Sequence, residues 1–280
     1  PVVAGVRTIA GTAIADSRTT GFAIRPGSYA RQLAEYRDSY GNTFFSDRAA
    51  ALDQPAPPVA RDAGTLQLLV GDTLDLGGTL RLDADQGDPT KPEDDGRGGR
   101  LDLSAASLRI VGTVSGMAED VVEVAASVLN RIAADSVLLG GTRTVLADRT
   151  EIAPVAGTVE VASGLDLAGS EYLLVARDRV TIGDNASLRS TGEAANDVGG
   201  PLLVSGTGGS ALVRVSRNGP AELGRAAGAT AAGDVSIGAG AVLGANGSVT
   251  VDAGGTARSF GGYELGSGAA IEKIHAASKA

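Results

Sequence analysis

Over much of the chain, apolar residues alternate with polar ones for four or five positions. Gly, Asn or Asp then breaks the run. Leu74 and Leu76 alternate with Thr73 and Asp75; Leu80 and Leu82 alternate with Thr79 and Arg81. A period of two describes short strands with one buried face. The same cell returns around Leu101 and Leu103, Leu108 and Ile110, Val159 and Val161, Leu165 and Leu167, Val180 and Ile182, Val235 and Ile237, and Val249 and Val251. These apolar positions are the expected interior. Neighbouring cells group into units of roughly 20 residues, too small to bury an apolar edge alone and able to bury it by stacking. Three short strands with tight corners per unit describe one turn of a parallel β-helix. An antiparallel sandwich also has many short strands, but Asn-Gly hairpin signals are few, with Asn246-Gly247 one of them.

Three stretches break the rhythm of what otherwise reads as one continuous segment over residues 1–280. Residues 28–58 form an expected excursion, in which Leu33, Tyr36 and Tyr40 have helical spacing. Residues 84–98 read as an acidic surface loop, with Pro89, Pro92 and no apolar run. Between Ala118 and Asp135 both periods fit; the expectation is a strand near 121–126 and a short helical corner near Leu129 to Ala134.

Composition agrees with a small-residue β architecture. Gly and Ala make up 88 of the 280 residues, aromatics are 3%, and Trp is absent. That counts against an ordinary enzyme core built on large side chains. A hydrophobic fraction of 43% counts against disorder. The formal charge of −9 disfavours nucleic acid as a partner. With no Cys, thiol catalysis and Cys-based metal sites are excluded. No apolar run approaches the about 18 residues of a transmembrane helix.

The search for chemistry gives little. Asp75, Asp102 and Asp166 occupy comparable Leu-Asp-Leu cells and could line one side as hydrolase carboxylates. The plainer reading is that they are outward, solvated residues, so that Asp102→Ala should cost under about 0.5 kcal/mol. His275 is the sole histidine, in what reads as a loose carboxy-terminal tail. Arg177, Asp178 and Arg179 read as an exposed turn. The acidic stretch Asp83 to Asp95 lacks the spacing of a calcium loop, and phosphate-loop and Gly-x-Ser-x-Gly patterns are missing. The expectation is therefore a protein that is not an enzyme, with no catalytic, cofactor-binding or metal-binding residues. The candidate interaction surface is Tyr29, Tyr36, Tyr40, Phe44 and Phe45, aromatics interspersed with Arg31, Arg37 and Arg48.

Leu129 to Arg143, Glu171 to Ala176 and Gly209 to Ser216 resemble characteristic stretches of filamentous-haemagglutinin-type exoproteins of Gram-negative bacteria, as does Phe22 to Gly27. The resemblance implies an all-β fold, a right-handed parallel β-helix. It also implies export through an outer-membrane partner transporter, and a role at the bacterial cell surface as a secreted adhesin that meets a host or bacterial surface glycan or protein. Cysteine scarcity suits such threading. The Asn-Pro-rich recognition region of the secretion domain is missing, and the chain begins Pro1-Val2-Val3. Both features suggest an internal or carboxy-proximal piece of a longer exported protein.

Overall fold

The computed structural model describes residues 2–9, 12–33, 35, 40–55, 62–84, 96–116, 120–192, 201–205, 209–225, 232–266 and 270–276. The chain divides into two compact units, Pro1–Val59 and Ala60–Ala280.

In the first unit, β1 (Val2–Gly5) pairs antiparallel with β2 (Thr20–Ala23), and Phe22 lies over Gly5, where a Cβ would come within 2.9 Å of the ring. Two helices follow, α1 (Gly27–Ala30) and α2 (Gly41–Ala51). Among the described residues of this unit, Ala49 is the only apolar side chain that is fully covered.

The second unit is mostly β. Its elements in order are β3 (Thr65–Leu69), β4 (Arg100–Ser104), β5 (Ser107–Val111), β6 (Val122–Ala125), α3 (Ala126–Leu129), β7 (Ser136–Leu139), β8 (Gly141–Val145) and β9 (Thr150–Pro154). Then come β10 (Thr158–Val161), β11 (Asp166–Gly169), β12 (Glu171–Ala176), β13 (Arg179–Ile182), β14 (Ser187–Ser190), β15 (Leu202–Val204), β16 (Ala211–Ser216) and β17 (Leu223–Arg225). The last are β18 (Asp234–Ile237), β19 (Val242–Ala245), β20 (Ser248–Ala253), β21 (Ala257–Ser259), β22 (Gly262–Leu265) and β23 (Ala270–Ala276). The expected strand near 121–126 is β6, and the helical corner, α3, falls earlier than expected.

Three sheets contribute side chains to one apolar core, and the chain visits them in rotation. β10, β13, β18 and β21 lie in the first, β11, β14, β19 and β22 in the second, and β12, β16, β20 and β23 in the third, which β7, β4 and β3 extend to seven strands. Thr158 stacks on Arg179 and Asp166 on Ser187, so equivalent positions recur 21 residues later. Inward side chains form ladders across the strands. In the seven-stranded sheet, Leu66, Leu101, Val137, Tyr172, Val215 and Val249 make one row, and Leu68, Leu103, Leu139, Leu174, Val213 and Val251 the next. Leu167, Leu188 and Leu243 are the matching row of the second sheet. All the expected interior positions are buried or half-buried, Leu74, Leu76, Leu80, Leu82 and Leu165 being the half-buried ones.

The pairing is not uniformly parallel. β16 runs antiparallel to both β12 and β20, and β8 runs antiparallel to β9. The remaining described pairs of this unit are parallel. The reversal follows from a long insertion between β14 and β18. The chain leaves the second sheet at Ser190, joins a fourth sheet as β15, and enters β16 from the far end. It returns at Arg217, whose N–H donates to the Ser170 carbonyl.

That fourth sheet, ordered β17, β15, β9, β8, covers the outer face of the seven-stranded one. Ile152 and Val204 from it pack against Leu138, Leu173, Val175 and Leu212, with Leu202 and Leu223 at the margin. Gly140 and Gly141 make the step between layers. Gly140 has φ +91°, and a Cβ there would collide with the Val175 carbonyl. Gly141 crosses against Val175 and Ala153, and a Cβ would lie 2.7 Å from the Val175 side chain. Among the described residues no helix is long and apolar enough to cross a membrane.

Candidate functional site

The outer face of the seven-stranded sheet is polar along the row nearest the starts of β4, β7, β12 and β20 and the end of β16. β4, β7, β12, β16 and β20 place Arg100, Ser136, Glu171, Ser216 and Ser248 side by side. One row further on stand Gln67, Asp102, Leu138, Leu173, Arg214 and Thr250. Gln67 at the edge is exposed, but where the fourth sheet lies over this face the polar groups are covered and need partners.

Most find them through one chain of hydrogen bonds, while Thr250 Oγ1 has no partner among the described residues. Asp102 accepts from Arg143 Nε at 2.6 Å, from the Arg143 backbone N–H at 3.0 Å and from Gln67 at 3.2 Å. Arg143 Nη1 donates to Ser136 Oγ at 2.8 Å, and Ser136 donates to Glu171 Oε2 at 2.5 Å. Arg214 Nε reaches the other oxygen of Glu171 at 2.8 Å, and its Nη1 donates to Ser248 Oγ at 2.6 Å. Ser248 Oγ in turn donates to the Asn218 carbonyl at 3.0 Å. A third ion pair, Arg225 with Asp252, closes the other end of the layer together with Ser210.

Burial by itself pushes the Glu171 carboxyl up. The Arg214 guanidinium, the Ser136 hydroxyl and then Arg143 and Ser216 outweigh it, so the group titrates below its ordinary value of 4.5. A depressed folded-state value means that Glu171 contributes stability above the unfolded value, and that this contribution is lost as pH falls through the folded one. Glu171→Gln keeps an acceptor for Arg214 but drops the charge. It should cost about 2 kcal/mol at neutral pH. The gap to the unsubstituted protein should close as pH falls below the ordinary carboxylate range, which denaturant titrations across pH will read. A gap independent of pH would mean that the charge of Glu171 has no such role.

Beside this network opens a cleft of about 640 Å³. Its floor is Ser136, Arg143, Glu171 and Arg214; its rim carries Arg97, Arg149, Leu146 and Pro220. Arg149 is held by Asp148 and Glu151. Arg97 donates its backbone N–H to Asp62, and its guanidinium has no partner among the described residues. A smaller hollow of about 270 Å³ is bordered by the exposed Arg189–Glu264 pair.

The residues singled out by sequence fall elsewhere. Asp75 and Asp166 are exposed and do not share a sheet with Asp102, so the three carboxylates do not converge. Asp102 is only 1% exposed and is ion-paired. The expectation that it is solvated and dispensable is overturned, because alternation turns it outward but the fourth sheet covers that face. His275 lies in β23, in parallel register with Asp252, rather than in a loose tail. Arg177, Asp178 and Arg179 form the expected exposed turn. Tyr29, Tyr40, Phe44 and Phe45 are all exposed in the first unit. Arg25 lies over the Tyr29 ring at 5.0 Å, and Phe44 and Phe45 meet edge to face at 5.3 Å. Tyr36 lies outside the described residues, as does most of the acidic loop. No cluster of His, Asp or Glu suited to a metal ion occurs among the described residues.

Arg143, Glu171 and Arg214 were missed as site residues. Their signal was a charge set in or beside an unbroken apolar run, as in Ala-Leu-Val-Arg-Val-Ser over 211–216. Such runs imply strands covered on both faces, where a charge must be paired. Comparison with family models, with curated proteins and with solved structures finds no match to this chain.

Proposed function

We propose that the second unit is a segment of a right-handed parallel β-helix. We further propose that the chain is a non-enzymatic, adhesive shaft segment of a large secreted bacterial surface protein of the filamentous-haemagglutinin type. The observation that carries this reading is the pair of inward rows running from Leu66 and Leu68 to Val249 and Val251 through six strands of one sheet. Such rows extend by adding turns, which is what a shaft requires. Lack of cysteine fits passage, unfolded, through an outer-membrane partner transporter. The exposed Tyr29, Tyr40, Phe44 and Phe45 suit contact with a surface glycan or protein. Against a polysaccharide-processing enzyme speak the scattered positions of Asp75, Asp102 and Asp166 and the charged, arginine-paired state of Glu171, which is unsuited to a general acid.

The test pairs two assays on the same chain. Attachment to bacterial and host cells is measured for the protein and for a Tyr40→Ala/Phe44→Ala/Phe45→Ala variant. Acidic polysaccharides are incubated with the protein, with and without calcium. Attachment that the variant loses, with no new reducing or unsaturated sugar ends, is the expected result. Release of such ends would overturn the reading, and so would absence of attachment.

A further inference from the structure

We infer that the cleft beside the Asp102–Arg143 and Glu171–Arg214 pairs binds a hydrophilic molecule bearing a single carboxylate, of the class of an acidic saccharide. The inference is independent of the shaft reading. Its first support is preorganisation. The side chains of Arg143 and Arg214 are each only 6% exposed, and each is fixed by a carboxylate. An immobilised guanidinium loses little further freedom on binding. The second support is unused donor capacity. Arg214 directs Nε and Nη1 to protein acceptors and leaves Nη2 without one, yet Nη2 is not among the sealed, unpartnered atoms of the interior. Arg143 Nη2 has only a 3.5 Å contact to the Ser136 carbonyl. Two fixed forks therefore offer spare N–H groups at the floor of one cleft.

Charge narrows the ligand. The floor pairs are neutral, and Arg149 at the rim is paired with two carboxylates, Asp148 and Glu151. Arg97 and Arg100 add two more guanidinium groups to the lining, and that of Arg97 has no partner among the described residues. Five arginines against two carboxylates, Asp148 and Glu171, line the cleft, and that excess suits an anionic ligand. A polyanion would meet Asp148 and Glu171 as well. Size and lining narrow it further. A volume of about 640 Å³ is that of a small-molecule site. Its walls are mainly polar, with Leu146 and Pro220 offering apolar surface to a ring face.

The experiment titrates the whole chain, by calorimetry, with a trisaccharide of one galacturonate and two galactose units, its neutral all-galactose counterpart and a multiply sulfated trisaccharide. Two variants accompany it. Arg97→Ala removes a cation from the rim. Leu146→Trp fills the cleft from a side chain that is 38% exposed and so leaves the fold intact. The expected result is binding of the uronate, at least about tenfold weaker binding of the neutral sugar and by Arg97→Ala, loss with Leu146→Trp, and weakening as salt rises. Three results would each overturn the inference: no uronate binding, equal binding by both variants, or tighter binding of the sulfated sugar. None of these bears on cell attachment through the first unit, so the two readings fail separately.

Discussion

An aspartate in place of Leu103 should unfold the neighbouring strands of the second unit. Leu103 is fully buried, stacked between Leu68 and Leu139 in an inward row of aliphatic side chains. Removing the leucine forfeits about 2–5 kcal/mol of burial and packing. The carboxylate that replaces it finds no cation in that row, and an unpaired buried charge costs several kcal/mol more. The sum, at least about 5 kcal/mol, is comparable with the whole stability of an ordinary domain. Leu69 is the control. It lies on the adjacent strand of the same sheet, one residue out of phase, and is 75% exposed. Leu69→Asp should therefore change stability by less than about 0.5 kcal/mol. Thermal unfolding followed by circular dichroism, with hydrogen exchange on the β3, β4 and β7 amides, reads both. Equal melting temperatures for the two variants would show that the inward rows are misassigned.

The same contrast explains what could be read in the sequence. Alternation reports which side chains share a face, so Val159 with Val161 and Val235 with Ile237 were legible as interior before any fold was known. It does not report what lies beyond the other face. The cover over Asp102 comes from residues 141–154, 202–204 and 223–225, remote in the chain and spread over three excursions. Their cells look like any others. Nor does alternation carry direction. The inward set Ala211, Val213 and Val215 is the same read forwards or backwards, and in β16 it meets Ala176, Leu174 and Tyr172 in antiparallel register without losing the ladder. The reversal therefore left no mark in the pattern. What did leave a mark was loss of alternation. Tyr172 to Ala176 and Ala211 to Ser216 are buried throughout, which fits two covered faces. The charged residues at those places, Glu171 and Arg214, are the ones that build the polar network. In the first unit the aromatics stand out by composition, but their spacing does not tell exposure from packing. The helical spacing of Leu33, Tyr36 and Tyr40 falls largely outside the described residues, and the observed helix, α2, begins at Gly41.

Replacing Asp102 by Ala should cost about 3–5 kcal/mol, the penalty for leaving a buried charge without its partner. The Arg143 side chain is 6% exposed, and Asp102 accepts both its Nε and its backbone N–H. The second of these bonds pins the start of β8 to β4, so its loss also loosens the hairpin that forms one wall of the cleft. Arg143→Ala strands the opposite charge and should cost a similar amount. Asp102→Leu combined with Arg143→Leu removes both charges and extends the apolar patch of Leu138 and Leu173. It should be more stable than either single alanine variant by about 2 kcal/mol or more, because an apolar pair of similar volume pays no desolvation. Denaturant unfolding of the four proteins completes the comparison. Asp102→Ala within about 0.5 kcal/mol of the parent would mean that the fourth sheet does not cover this face in solution. A double variant less stable than both singles would mean that the ion pair stabilises the layer beyond the apolar contacts that could replace it. The carboxylate site should respond in step. Where β8 loosens, Arg143 loses its fixed orientation, and uronate binding should weaken in Asp102→Ala even though Asp102 itself lies beneath the cleft floor.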